Sequence, residues 1–171
     1  MPKLAALTLV IGVLALVDTW LFLTPLANFH LFVWMSFIAW GVHFMAGGKI
    51  GGVKASALSM SFGAVVGMCA ALAIAKMSGM PVLAAPIAVG VGAALIVLAS
   101  KVPLLEAIPA GFYGFACIFA VMGPSLTPTA AIVPTIASIV IGAAFGYVSE
   151  LLTDMLARKD IALEPGVGKP A

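Results

Sequence analysis

The chain has 171 residues, 64% of them hydrophobic and 8% charged, with a net charge of +2 and a mean hydropathy of +1.26. A soluble domain carries about 25% charged residues, so this chain has too few charges to make a water-facing surface and is expected to sit in a lipid bilayer. Basic patches interleaved with aromatics are absent, so nucleic acid is not an expected partner, and no C-x-x-C, H-E-x-x-H, phosphate-loop or dinucleotide motif occurs.

A spanning helix needs about 20 apolar residues. The first expected span is Leu4 to Leu23, interrupted only by Asp18. Its Met1-Pro2-Lys3 start imitates a signal peptide. No A-x-A site follows the run, however, so an uncleaved span is expected. Thr24-Pro25-Leu26-Ala27-Asn28 reads as a turn. The second span is expected from Phe29 to Ala46, then a glycine-rich basic loop from Gly47 to Lys54. The third runs from Ala55 to Ala75, and Ser78-Gly79-Met80-Pro81 turns the chain. The fourth covers Val82 to Ser100, the short fifth Ala107 to Met122, and the sixth Thr129 to Leu152. The expected domains are a transmembrane domain over 1–156 and a polar, disordered tail over 157–171. A transmembrane barrel would need segments of about 10 alternating residues; these runs are longer and continuously apolar.

Lysine and arginine favour the cytoplasmic side. With both termini inside, Lys3, Lys49, Lys54, Lys101, Arg158, Lys159 and Lys169 fall inside, against Lys76 alone outside.

One stretch is written twice. Phe37, Trp40 and Phe44, in a segment ending at Gly47-Gly48, are matched by Phe112, Phe115 and Phe119, in a segment ending at Gly123. The G-x-x-x-G of Gly63 and Gly67 is matched by Gly142 and Gly146. The offset is 75 residues in the first segment and 79 in the second. Three spans per copy is an odd number, so the expected fold is an all-α membrane protein of six transmembrane helices in two inverted three-helix repeats, a plan shared by transporters and channels.

Few residues carry chemistry. Asp18 lies about one turn inside the outer end of the first span, where a carboxylate is costly and faces a bundle interior, a watery cavity or the headgroups. His30 lies at a similar depth and is an expected partner for it. His43 lies one turn from the inner end of the second span and reads either as a proton relay or as a solvated interfacial residue. Lys101 and Glu106 are expected to pair at the surface. Phe37, Trp40 and Phe44 share one helical face, as do Phe112, Phe115 and Phe119. Brought together near the midplane, the two stripes form an aromatic constriction; otherwise they are packing or lipid-facing rings. Gly63, Gly67, Gly142 and Gly146, with Gly90 and Gly92, let backbones approach. Ser56, Ser59 and Ser61 are available for hydrogen bonds across the third span or back to their own helix. Cys69 and Cys117 read as packing residues. No nucleophile with a base and orienting group is discernible, so no enzyme, cofactor or metal is expected.

Trp20 after the first apolar run, the Gly47-Gly48 to Gly52-Val53-Lys54 loop, Pro109-x-x-Phe112-x-Gly114 with Phe119-Ala120, and Gly142-x-x-Phe145-Gly146-Tyr147 carry a resemblance. The chain resembles the YcdZ-type inner-membrane proteins of bacteria, a family of unknown function. The resemblance implies a bacterial inner-membrane location and assigns no functional residue. The expected function is a channel or transporter for a small polar solute of urea or amide size. The alternative is a scaffold or accessory subunit. Expected partners are the lipid bilayer, such a solute and further copies of the chain in a homo-oligomer.

Overall fold

A computed structural model describes residues 1–123 and 126–161. It is 81% helix with no strand among the described residues. Among the described residues six helices follow in order: α1 (Lys3–Leu23), α2 (Val33–Met45), α3 (Lys49–Lys76), α4 (Ala84–Ala99), α5 (Ile108–Val121) and α6 (Pro128–Ile161). A 3-10 turn at Ala27–Phe29 precedes α2, and a six-residue π segment, Lys54–Ser59, lies inside α3. By length and composition α1, α3 and most of α6 can cross a membrane, while α2, α4 and α5 are shorter apolar helices. The chain thus has the helical make-up of a membrane protein.

Two boundaries differ from expectation. The glycine-rich loop is confined to a turn at Gly47 and Gly48, and Lys49 already opens α3. Gly47, Gly48 and Lys49 all have left-handed φ values, of 85°, 69° and 53°. That geometry favours glycine, and it reverses the chain within three residues. Gly52 then packs directly on His43: a Cβ there would sit 2.7 Å from His43 Nδ1. Helix from Lys49 onward is what brings Gly52 to this contact. At the other end α6 continues past Leu152 to Ile161, and the rest of the expected tail, 162–171, lies outside the described residues.

The packing is exchanged between the halves of the chain. The long helix α3 packs most on α5 and also on α4, and the long helix α6 packs on α2 and on α1. α3 and α6 pack against one another as extensively as α6 packs on α2. Each long helix therefore serves the two short-range neighbours from the opposite half.

Glycine makes these crossings possible. A Cβ on Gly63 would collide with the carbonyl of Gly111, and one on Gly142 with the carbonyl of Ser36. One turn on, Gly67 meets Ile118 and Gly146 meets His43. With the 75- and 79-residue offsets these are the same contacts made twice, Ser36 standing where Gly111 stands and His43 where Ile118 stands. Burial repeats as well. Met35, Ser36, Ala39, Trp40, Val42 and His43 are buried in α2, and Ala110, Gly111, Gly114, Phe115, Cys117 and Ile118 are buried in α5. The largest fully buried apolar side chains are Met35, Met60, Ile118 and Ile139, and Met35, Met60 and Ile139 belong to the main core cluster.

Overpacking a close crossing costs about 1–3 kcal/mol or more. Gly63→Ala and Gly142→Ala are each expected to destabilise the detergent-solubilised protein by at least about 1–3 kcal/mol. Gly41→Ala and Gly90→Ala, whose Cβ atoms meet open space, should leave the thermal midpoint unchanged. Scanning fluorimetry of the four variants checks this.

Candidate functional site: the polar seam of α1, α2 and α6

Along α2 a column of polar contacts faces α1 and α6. At the start of the helix, the Phe32 amide donates to Ser138 Oγ at 2.9 Å, and Ser138 itself donates to the Pro134 carbonyl at 2.8 Å. Four residues on, Ser36 Oγ donates to Asp18 Oδ1 at 3.1 Å. Trp40 Nε1 donates to Ser149 Oγ at 2.9 Å, and the Ser149 hydroxyl donates in turn to the Gly146 carbonyl at 2.7 Å. At the far end, His43 Nε2 lies 3.0 Å from Glu150 Oε2, which also accepts the Lys49 amide at 2.6 Å. These α2 positions fall at spacings of four, four and three, so they share one face of the helix.

Asp18, Ser36, His43, Ser138 and Ser149 have no solvent exposure. The seam is not fully satisfied. Asp18 Oδ2 and His43 Nδ1 have no hydrogen-bond partner, and neither do Thr135 Oγ1, Ser59 Oγ and Ser61 Oγ. An unpaired buried polar group costs about 1–3 kcal/mol. In an otherwise apolar bundle such atoms are the natural candidates for contact with a solute.

The Glu150 end of the seam opens. A cleft of about 260 Å³ is lined by Lys3, Phe44, Gly47, Gly48, Glu150 and Asp154 among others. A second of about 190 Å³ lies on the other side of Glu150, against Lys49 and Tyr147. Lys3 Nζ pairs with Asp154 Oδ1 at 3.2 Å, tying the start of α1 to α6. Glu150 therefore stands between buried His43 and open clefts on both sides.

The expected residues are distributed as follows. Asp18 is buried, but its partner is Ser36 and not His30, which is exposed in a left-handed conformation after the 3-10 turn. The turn carries His30 off the end of α2, away from its buried face. His43 is wholly buried, so the solvated reading is corrected: Gly146 and Gly52 on either side leave room for the ring. The two aromatic stripes do not meet. Trp40 stacks on Phe37 and on Phe145 of α6, with centroids 5.8 and 5.6 Å apart. Phe115 stacks on Phe119 at 5.0 Å, in a separate cluster with Val66, Ala88 and Ile96. Phe44 is half-buried beside His43, and Phe37 and Phe112 are exposed. The stripes part because each short helix faces the long helix of the opposite half. Lys101 and Glu106 form no ion pair with each other among the described residues.

Sequence reasoning passed over Ser36, Ser149, Glu150 and Asp154. The available signal was Ser149-Glu150, a polar pair inside the expected sixth span, three and four residues after Gly146.

A family model described as "Protein of unknown function (DUF1097)" matches residues 8–154, which takes in all of α2 to α5, most of α1 and α6, and the whole seam. The chain belongs to the DUF1097 family. No curated protein and no solved structure matches this family member. The function of the seam must therefore be argued from its own geometry.

If the seam is one cooperative network, its bonds are coupled. His43→Phe and Glu150→Gln are each expected to destabilise by about 1–3 kcal/mol. A double-mutant cycle should return an interaction energy of about 0.5–3 kcal/mol. Additive losses in thermal unfolding would show that the His43–Glu150 contact carries no energy of its own.

Proposed function

We propose that this protein is a six-span integral membrane protein, built as two inverted three-helix repeats, that passes a small polar solute across the bacterial inner membrane with both termini cytoplasmic. The repeat reading is supported by the exchanged long helices, the paired glycine crossings and the matching burial of α2 and α5. Inverted repeats commonly place a substrate site near their interface. The lysine and arginine bias supports the orientation.

The observation that carries the transport reading is the half-satisfied polar seam, above all fully buried Asp18 with its unpaired Oδ2. Intramembrane carboxylates are rare and mark substrate or ion pathways. The repeat itself does not require an acid there, since Ile96, near the corresponding position of the other half, is buried without one. The route we propose follows the seam from Asp18 past Trp40 to the clefts beside Glu150. It differs from a central aromatic constriction, because the largest fully buried apolar side chains are methionine and isoleucine. The solute is assigned to the urea or small-amide class by its fit to a narrow, weakly charged passage; further copies of the chain would cover the outer helix faces.

A light-scattering shrink–swell assay on proteoliposomes tests this, with urea, acetamide, formamide and glycerol as solutes. Selective acceleration over empty liposomes is expected, and Asp18→Asn should reduce it by about tenfold, the equivalent of about 1.4 kcal/mol. No acceleration for any of the four solutes would remove the neutral-solute reading. Unchanged flux in well-folded Asp18→Asn would remove Asp18 from the route.

A further inference from the structure

The two halves match closely enough for their differences to be informative. In α3 the residues Ser56, Ser59, Met60, Gly63, Ala64 and Gly67 align with Thr135, Ser138, Ile139, Gly142, Ala143 and Gly146 of α6 at the single offset of 79. All twelve are buried. Each long helix thus carries a buried pair of hydroxyl residues three apart, one turn before its glycine crossing.

The correspondence breaks in the bonding: Ser56 Oγ donates to the Gly52 carbonyl at 2.7 Å while Thr135 Oγ1 has no partner, and Ser59 and Ser138 differ the other way round. Ser138 closes on the entry to α2 by accepting the Phe32 amide at 2.9 Å. The residue equivalent to Phe32 is Ala107, at the entry to α5, and the residue equivalent to Ser138 is Ser59. Ser59 makes no bond to Ala107. Its Oγ has no partner at all, although the residue is 2% exposed. A cleft of about 90 Å³ lies there instead, lined by Ser59, Ala107, Lys54, Leu104 and Glu106 among others. The backbone differs as well: α3 forms its π segment, Lys54–Ser59, at this place, whereas α6 stays α-helical around Pro134. Single-turn π segments recur at functional sites.

We infer that Ser59 and Ser138 are the closing residues of two equivalent gates, and that solute crosses by alternation between them. In the form described here the Ser138 gate is shut and the Ser59 gate is open. This rests on the repeat reading above and replaces a fixed route along the seam by a carrier cycle, in which the Asp18 end of the seam, behind the Ser138 gate, and the Ser59 cleft are exposed in turn. Two modules of one architecture can exchange conformations: what α6 does to the entry of α2, α3 can do to the entry of α5. The π segment is the slack that allows it, since returning it to α-helix shifts Ser59 relative to Ala107. The open cleft has room for several water-sized groups, and it offers a free hydroxyl, a carboxylate and an ammonium. That suits a small neutral molecule with both hydrogen-bond donors and acceptors, the amide class. It also agrees with a core closed by methionine and isoleucine: a carrier never has both ends open.

Alternation demands reciprocity, because weakening one gate must favour closure of the other. Hydrogen–deuterium exchange on the full chain in lipid nanodiscs reads both gates at once, through peptides covering 29–34 and 104–110. Ser138→Ala should speed exchange around Phe32 and slow it around Ala107 by about fivefold or more, the lower bound of a typical coupling. Ser59→Ala should do the reverse: slow the Phe32 region and speed the Ala107 region. Ser59→Thr and Ser138→Thr, which keep the hydroxyl, should resemble the parent chain and show that the alanine effects are not misfolding. If each alanine variant alters only its own end, the Ser59 cleft is a local consequence of alanine in place of phenylalanine and the paired gates are refuted. The shrink–swell assay separates the two ideas. Reciprocal exchange without amide flux keeps the gates and removes the proposed solute. Flux with purely local exchange keeps the passage and makes it a channel.

Discussion

Close backbone approach at glycine is the constraint on which this bundle depends. Between helices in lipid there is no hydrophobic driving force, so association rests on van der Waals packing and on interhelical hydrogen bonds. Gly63 against the Gly111 carbonyl and Gly142 against the Ser36 carbonyl supply that packing. They bring α3 onto α5 and α6 onto α2, and everything else follows from those two crossings. Trp40 reaches Ser149, and His43 reaches Glu150, only because Gly142 and Gly146 leave α2 and α6 in backbone contact. The same closeness excludes water, which is why the polar groups left over are conspicuous.

The halves share a frame and differ in chemistry. Ser36, Trp40 and His43 of α2 stand where α5 has Gly111, Phe115 and Ile118. Ser149 and Glu150 of α6 stand where α3 has Ala70 and Ala71. Polar character is thus concentrated on one side of the molecule, with partners on both faces of the crossing. On the other side the equivalent crossing leaves an apolar groove of about 360 Å³ between α3 and α4, lined by Val65, Cys69, Ala70 and Val91 among others.

Much of the architecture was legible in the chain. Continuous apolar runs located all six helices to within a few residues at most ends, because a helix that buries its own backbone is the simplest way for an open segment to sit in lipid. The paired G-x-x-x-G motifs pointed to the right crossings, since only glycine lets two backbones touch. The errors have physical causes. Gly47 to Lys54 looked like a loop from composition, but glycine also serves as a small helix residue, and Gly52 is used that way against His43. Asp18 was matched to His30 by depth alone, whereas the 3-10 turn swings His30 outward and offers Ser36 instead. The aromatic stripes were judged by periodicity, which says which residues share a face and not which neighbour that face meets.

The sequence by itself determined that the chain is helical and apolar enough for a bilayer, where its helices lie, and that it contains one short pattern twice. Those features depend on local composition and spacing, which are complete in the linear text. Only the tertiary structure decided that the long helices are exchanged between halves, that Asp18, Trp40 and His43 lie on one buried seam with Ser149 and Glu150 more than a hundred residues away, and that Ser59 and Ser138 differ in their partners. These are facts of helix pairing. Pairing is set by which small residues meet across space, and no one-dimensional period records that.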